Sequence, residues 1–241
     1  MPRFYLPETL HIGAVISLPE AVVHHCQVLR LTPGDTVVLF NGQGGSWVAS
    51  LCNVEKKKIN AEIKMFNGDE VELPYAVTLA QALPEASKMD WIIEKAVELG
   101  AAGIQPLATQ RCVTRLSGDR AEKRRAHWQS VIAAASEQCG RNRLAHLGPV
   151  SDFRHWINQQ DMHRRLVLSP VADHTLAEWA RHHPPQAITL IIGPEGGLSE
   201  QEFQLAIGQG AIPLSMGPRI LRTETAGLNA MATLNSHWGD L

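Results

Sequence analysis

Long apolar runs are absent: no stretch of the 241 residues approaches the roughly 18 apolar residues of a membrane span. The opening "MPRFYLPETLHIG" also lacks the apolar core of a signal peptide. The expectation is a soluble, cytoplasmic protein with no membrane partner. Cysteine is scarce as well. Cys26, Cys52, Cys112 and Cys139 form no C-x-x-C pair and no ladder of close spacings, which excludes a zinc knuckle or a disulfide framework and leaves reduced thiols.

The familiar loops of nucleotide and hydrolase chemistry are missing too. "GQGG" at 42–45 has Trp47 where a third glycine of G-x-G-x-x-G belongs and sits among hairpin-like strands, so it reads as a tight turn. No G-x-x-x-x-G-K-[ST] and no G-x-S-x-G occurs. Histidine is plentiful, but His24-His25 and His182-His183 are adjacent pairs whose side chains diverge in a helix or strand, so no metal is expected.

A net charge of one sign is lacking overall, at −2. Its distribution is uneven. Arg111, Arg115, Arg120, Lys123, Arg124, Arg125, Arg141 and Arg143 face only Asp119, Glu122 and Glu137, eight bases against three acids and a local net of +5. Such a run is either a solvated helix face or a phosphate-binding surface.

What is present divides in two, as a chain of this length commonly does. Residues 1–73 carry short β-rich pieces, "AVISL", "TVVLFNGQGGSWVASL" and "INAEIKMF", punctuated at Pro33-Gly34-Asp35, Asn41-Gly42 and Asn67-Gly68, with "EAVVHHCQVLRL" as a helical insert. The spacing predicts a small barrel. From residue 74 to 241 strand and helix alternate. "SKMDWIIEKAVELG" places Met89, Ile92, Ile93, Ala96 and Val97 on one stripe, opens with Ser87 and Asp90 in capping-box spacing and stops at Gly100. Further strands are expected at "YAVTLAQAL", "GIQPL", "RLVLSP", "ITLIIG" and "AIPLSMG", and helices near 119–139, 173–182, 199–209 and 223–237. Nearly unbroken apolar strands alternating with helices predict an α/β parallel sheet, whose ligands gather at the strands' carboxyl ends.

Two late loops lie at such ends. "TLIIGPEGGLSE" at 189–200 runs into a helix that Leu198, Ser199, Glu202 and Phe203 already staple and cap, and Glu195 would repel a phosphate. "LSMGPRILRTETAGLNAMATL" at 214–234 turns at Gly217-Pro218, flanks the apolar pair Ile220-Leu221 with Arg219 and Arg222, and offers Thr223 as the cap of a helix carrying Leu228, Met231, Leu234 and Trp238 inward. Two structural turns account for the glycines and prolines but not for the arginines.

The strings "LIIGPEGGLSEQE" at 190–202, "MGPRILRTETA" at 216–226, "EQCGRNR" at 137–143, "KMDWIIEKAVELGAAGIQPL" at 88–107 and "HHCQVLRLTPGDTVVLFNGQG" at 24–44 closely resemble the ribosomal RNA small subunit methyltransferase E family of the SPOUT superfamily. The resemblance spans nearly the whole chain. It implies a PUA-like β-barrel RNA-binding domain at 1–73, then a SPOUT methyltransferase domain at 74–241 whose C-terminal segment forms a trefoil knot, and a homodimer. It implies S-adenosyl-L-methionine as cofactor, its adenine held by main-chain groups near Leu168, Ile192, Gly193, Leu214, Gly217, Ile220 and Leu221. It implies methylation of N3 of a uridine in 16S rRNA, naked or in the small ribosomal subunit. Methyl transfer to that nitrogen develops negative charge on the neighbouring carbonyl oxygens, which makes Arg222 the candidate catalytic residue and Arg219 a weaker one. The proton acceptor stays open among Glu224, Glu195 and water. RNA contacts are assigned to Arg3, Arg30, Arg141, Arg143 and Arg219. Two rivals stay open: a SPOUT enzyme with another RNA target, and a non-catalytic RNA-binding assembly factor.

Overall fold

The computed structural model describes residues 1–241 except Lys56, Ala86, Asp161, Asp240 and Leu241. The chain forms two compact units, Met1–Glu72 with Ser136–Leu144, and Leu73–Ala135 with Ala145–Leu241.

In the first unit the elements are β1 (Arg3–Tyr5), β2 (Val15–Ser17), α1 (Glu20–Val28), β3 (Thr36–Phe40), β4 (Ser46–Val54) and β5 (Ile59–Asn67). They make a five-stranded sheet in the order β1-β3-β4-β5-β2, with β1 parallel to β3 and the other pairs antiparallel. Alternation explains the pleat: Ile59, Ala61 and Ile63 of β5 are buried on the core face with Leu39, Ala49 and Leu51. The turn at Pro33-Gly34 is set by Asp35, whose carboxylate accepts from the amide (2.6 Å) and hydroxyl (3.0 Å) of Thr32.

A single cut near residue 73 leaves out Ser136–Leu144, which packs into the first unit through its polar groups. Leu144 donates its amide to the Gly42 carbonyl, Asn142 donates to the Asp69 carbonyl, and Arg141 pairs with Glu72.

The second unit holds β6 (Val77–Ala82), α2 (Lys88–Glu98), β7 (Gly103–Ala108), α3 (Gly118–Cys139, its last residues in the first unit), β8 (His146–Leu147), β9 (Ser151–Asp152), α4 (Phe153–Ile157), β10 (Arg164–Leu168), α5 (Leu176–Arg181), β11 (Ile188–Ile192), α6 (Glu200–Gly208), β12 (Ile212–Leu214) and α7 (Thr223–Trp238). Its seven-stranded sheet runs β12-β10-β11-β6-β7-β8 with β9 also on β7. Every pairing is parallel. β11, buried at all five residues, is central, which is why its sequence is an unbroken apolar run.

The α2 stripe of Met89, Ile92, Ile93, Ala96 and Val97 is buried, and the helix is followed by Gly100 in the left-handed region. Ser87 and Asp90 do not form the expected cap. Ser87 is itself helical in conformation and makes no side-chain cap bond, while Asp90 accepts from the Trp128 indole (3.0 Å) and meets His127 (2.7 Å), tying α2 to α3. Thr223 does not cap α7 either. Arg222 holds the N-cap position, and Thr223 turns its hydroxyl to another acceptor. On α7, Met231, Leu234 and Trp238 face inward as expected; Leu228 is only half-buried, and Gly227 and Ala230 are buried instead.

Candidate functional site

Because β12, β10, β11 and β6 are parallel neighbours, their carboxyl ends share one rim of the sheet. Leu168 ends β10 directly opposite Leu214, which ends β12, and Ile192 ends β11 opposite Gln81 of β6. Residues distant in sequence are thus gathered where loops of such sheets bind ligands.

The loop after β11 is tightly turned. A Cβ at Gly193 would lie 2.8 Å from the Leu198 amide nitrogen, and Gly197, at φ +67°, donates to the Pro194 carbonyl (2.8 Å). Arg111 braces it from outside, donating to the carbonyls of Gly196 (2.8 Å) and Leu198 (3.3 Å). Glu195 braces it from the β6 side by accepting from the Glu85 amide (3.1 Å) and from Lys88 Nζ (2.9 Å). Ser199 and Glu202 complete a reciprocal capping box, so the first donors of α6 are already filled.

Lys88 also lies 3.7 Å from Glu224 and 4.0 Å from Glu85, so three carboxylates share one ammonium. Burial pushes Glu195 up, but the Lys88 hydrogen bond and the backbone donors outweigh it and hold the carboxyl below its usual range. The Glu195 hydrogen bond and the surrounding carboxylates keep Lys88 above its ordinary value.

The loop after β12 is open. Gly217 turns at φ +93°, Pro218, Arg219, Ile220 and Arg222 are exposed, and the Ile220 side chain is 85% accessible. Among the described residues, no backbone carbonyl takes the amides of Gly217, Arg219, Ile220 and Leu221. The rim therefore offers unengaged main-chain donors, an apolar edge at the half-buried Leu168, and carboxylates, while the Leu214 side chain is buried in the fold. A phosphate is poorly served there, since α6 is self-capped and the side chains are acidic. A flat, phosphate-free group read through backbone atoms, with a cation attached, suits it.

A cavity of about 410 Å³ lies at the opposite, amino ends of the strands, lined by Thr78, Gly103, His163, Arg165 and Thr189 among others. Its guanidinium is committed to the carbonyls of Ile157 and Gln159 and to the face of Trp156. Among the described residues, no group of three or more His, Cys, Asp or Glu could hold a metal ion, and no helix is long and apolar enough to cross a membrane.

The arginines expected to grip RNA have different fates. Arg141 is 3% exposed and forks Glu72, so it is a structural cation and not a surface contact. The mismatch has a physical cause: a buried guanidinium is retained only when its donors are matched, and Glu72 matches them. Arg3 is likewise engaged, donating to the Gly140 carbonyl (3.1 Å) and Asn142 Oδ1 (2.7 Å) beneath the ring of Phe40. Arg143 stays exposed, 3.4 Å from Glu70, and Arg30 is exposed in a left-handed backbone conformation. Sequence reasoning missed Lys88 and Gln81. Lys88 carries one signal, its place at the first turn of the helix that follows a strand's carboxyl end.

Comparison with known proteins agrees with this geometry. A family described as RNA methyltransferase domain matches residues 71–235, and one described as RNA methyltransferase PUA domain matches 18–64. Ribosomal RNA small subunit methyltransferase E of Synechocystis sp. is 35% identical, covering 95% of this chain and 75% of that protein. Its namesake from Buchnera aphidicola subsp. Schizaphis graminum is 31% identical, covering 100% and 98%. A solved Ribosomal RNA small subunit methyltransferase E from Neisseria gonorrhoeae, bound to S-adenosyl methionine, matches at TM-score 0.93 and 39% identity over 100% of this chain and 99% of that one. The chain belongs to the ribosomal RNA small subunit methyltransferase E family of RNA methyltransferases.

Proposed function

We propose that the protein methylates N3 of a uridine in 16S rRNA with S-adenosylmethionine as donor, using the rim at the carboxyl ends of β10, β11 and β12. The observation that carries this reading is the meeting of Leu168, Ile192-Gly193 and Leu214 on one rim, beside a loop whose amides at Gly217, Arg219, Ile220 and Leu221 have no backbone partner among the described residues. Those main-chain groups hold the adenine, and the side chains of Leu168, Ile220 and Leu221 cover its faces. When bound, the cofactor supplies an electrophilic methyl group on a cationic sulfur. The carboxylates around Lys88 suit that cation. Arg222, exposed at the N-cap of α7, places its guanidinium on the uracil oxygens as negative charge develops, with Arg219 assisting from the same turn. Arg30, Arg143 and Arg219 contact RNA phosphates, and the target base is splayed from its neighbours to present its ring edge. The same reading includes a homodimer, a knotted C-terminal path and work in the cytoplasm.

The test is transfer of labelled methyl to 16S rRNA, naked and in the small subunit, followed by nucleoside identification. Label in 3-methyluridine is expected. Label on a ribose 2′-hydroxyl or another base would overturn the target. Cofactor binding with no transfer to either substrate would favour an assembly factor instead.

A further inference from the structure

Gln81, Thr223 and Gly193 stand on β6, α7 and the loop after β11, and two hydrogen bonds join them. Gln81 Nε2 donates to Thr223 Oγ1 at 2.9 Å, and Thr223 Oγ1 donates to the Gly193 carbonyl at 2.6 Å. Gln81 is fully buried and Thr223 is 5% exposed. The direction of the relay follows from the groups themselves. A carbonyl only accepts, so the single hydroxyl proton must point at Gly193, and the hydroxyl is then left to accept from whatever faces it. Only the NH₂ end of Gln81 serves, and its second hydrogen goes to the Ala82 carbonyl at 2.9 Å. Gln81 Oε1 is consequently turned toward Gly227, buried and, among the described residues, without a hydrogen-bond partner. Buried amide oxygens are rarely left unmatched. Here the exception accompanies an amide whose two donors are both in use.

A threonine at a helix start usually caps, and one in a core usually packs. Thr223 does neither alone. Arg222 holds the N-cap position instead, and a buried hydroxyl that bridges an amide and a carbonyl does what valine cannot. It is also the first residue after the open loop 217–222, and its bond is made to the first residue of the loop after β11.

We infer that Thr223, held by Gln81, is a positioning residue that fixes the loop after β11 against the loop after β12 and so sets the affinity for the adenosyl cofactor. This rests on the cofactor reading above. Breaking the relay lets the Gly193 turn and the 217–222 turn move independently, so the main-chain groups that must meet one adenine no longer keep their spacing.

The experiment compares wild type, Thr223→Val, Thr223→Ser and Gln81→Met by calorimetry with S-adenosylmethionine, by steady-state methyl transfer to the small subunit, and by melting temperature. Thr223→Val is expected to raise the cofactor Kd and KM about tenfold, as loss of a buried hydrogen bond would, with kcat at saturating cofactor within about twofold and KM for RNA unchanged. Thr223→Ser should restore Kd to near wild type, and Gln81→Met should fall between, because the hydroxyl still reaches Gly193. These two variants carry the test should the valine protein not fold. The relay is overturned if Thr223→Val binds cofactor like wild type, if its only defect is a lower melting temperature, or if serine rescues nothing. A wild-type protein that gives no heat with S-adenosylmethionine overturns the cofactor reading and the relay with it, whereas failure among the variants alone leaves that reading standing.

Discussion

The loop that follows β11 and the loop that follows β12 border the same rim and are built in opposite ways. The first is held by Arg111, Lys88, the Glu85 amide and Thr223, and its own glutamate is committed to two donors. The second has exposed arginines, an isoleucine in solvent and amides that have no backbone partner among the described residues. Groups already matched within the fold are poor ligands, and unmatched groups on a rigid frame are good ones. The difference separates residues that shape the rim from residues that touch what binds there. Substitutions in the braced loop should cost stability and binding together. Those in the open loop should cost binding or turnover and leave stability alone.

The largest expected effect is at the end of the open loop. Arg222→Ala should lower kcat about 10²- to 10³-fold, the usual loss when one group stabilising developing charge is removed, with cofactor affinity and melting temperature unchanged. Rapid-quench transfer to the small subunit, beside calorimetry, measures both. Full turnover by the alanine protein would remove Arg222 from the site.

Next comes the tightest point of the braced loop. Gly193→Ala puts a Cβ 2.8 Å from the Leu198 amide nitrogen and 3.0 Å from the Gly197 carbonyl carbon, both backbone atoms that yield only by moving the turn. About 1–3 kcal/mol of stability should be lost in denaturant titrations, with weaker cofactor binding alongside. Unchanged stability would mean that the turn is not tight.

Ile220→Ser is the counterpart in the open loop. At 85% exposure its side chain contributes little to folding, so stability should stay within about 0.5 kcal/mol of wild type. Cofactor Kd should still rise a few-fold, roughly as expected for removing partly buried apolar surface from a complex. A variant that melts lower but binds normally would reverse the comparison.

The sequence shows the braced loop better than the open one, and the reason is range. The capping box of Ser199 and Glu202 and the stripe of α2 are written within one or two helical turns, where spacing alone decides geometry. The strand ends at 168, 192 and 214 follow from apolar runs and parallel topology. Partners chosen across the fold are not written locally. Arg141 and Arg143 flank one asparagine in "GRNR", yet one is buried on Glu72, 69 residues away in sequence, and the other stays in solvent. Thr223 reads as a cap because threonines before helices often are, and only the carbonyl of Gly193 redirects it. The α4 helix, five residues long and capped by Asp152 on the His155 amide, is too short for periodicity to detect.

The smallest expected effect is at Glu195, where shape and charge separate. Glu195→Gln keeps an oxygen for the Glu85 amide and loses the ionic part of the contact with Lys88. Both side chains are partly in solvent, so the loss at neutral pH should be small and should shrink with added salt. Its pH dependence identifies the cause. The folded carboxyl titrates below its ordinary 4.5, so its ionic contribution is present above that value and lost as pH falls through the lowered one. The folded ammonium titrates above its ordinary 10.5, so its contribution is complete below that value and fades as pH climbs through the raised one. The stability difference between wild type and Glu195→Gln should therefore form a plateau across neutral pH and close at both extremes, read from melting temperatures over a pH series. A difference that persists unchanged into acid would show that the glutamate holds the loop by packing and its amide contact alone, leaving the charge of the rim free to serve the cofactor.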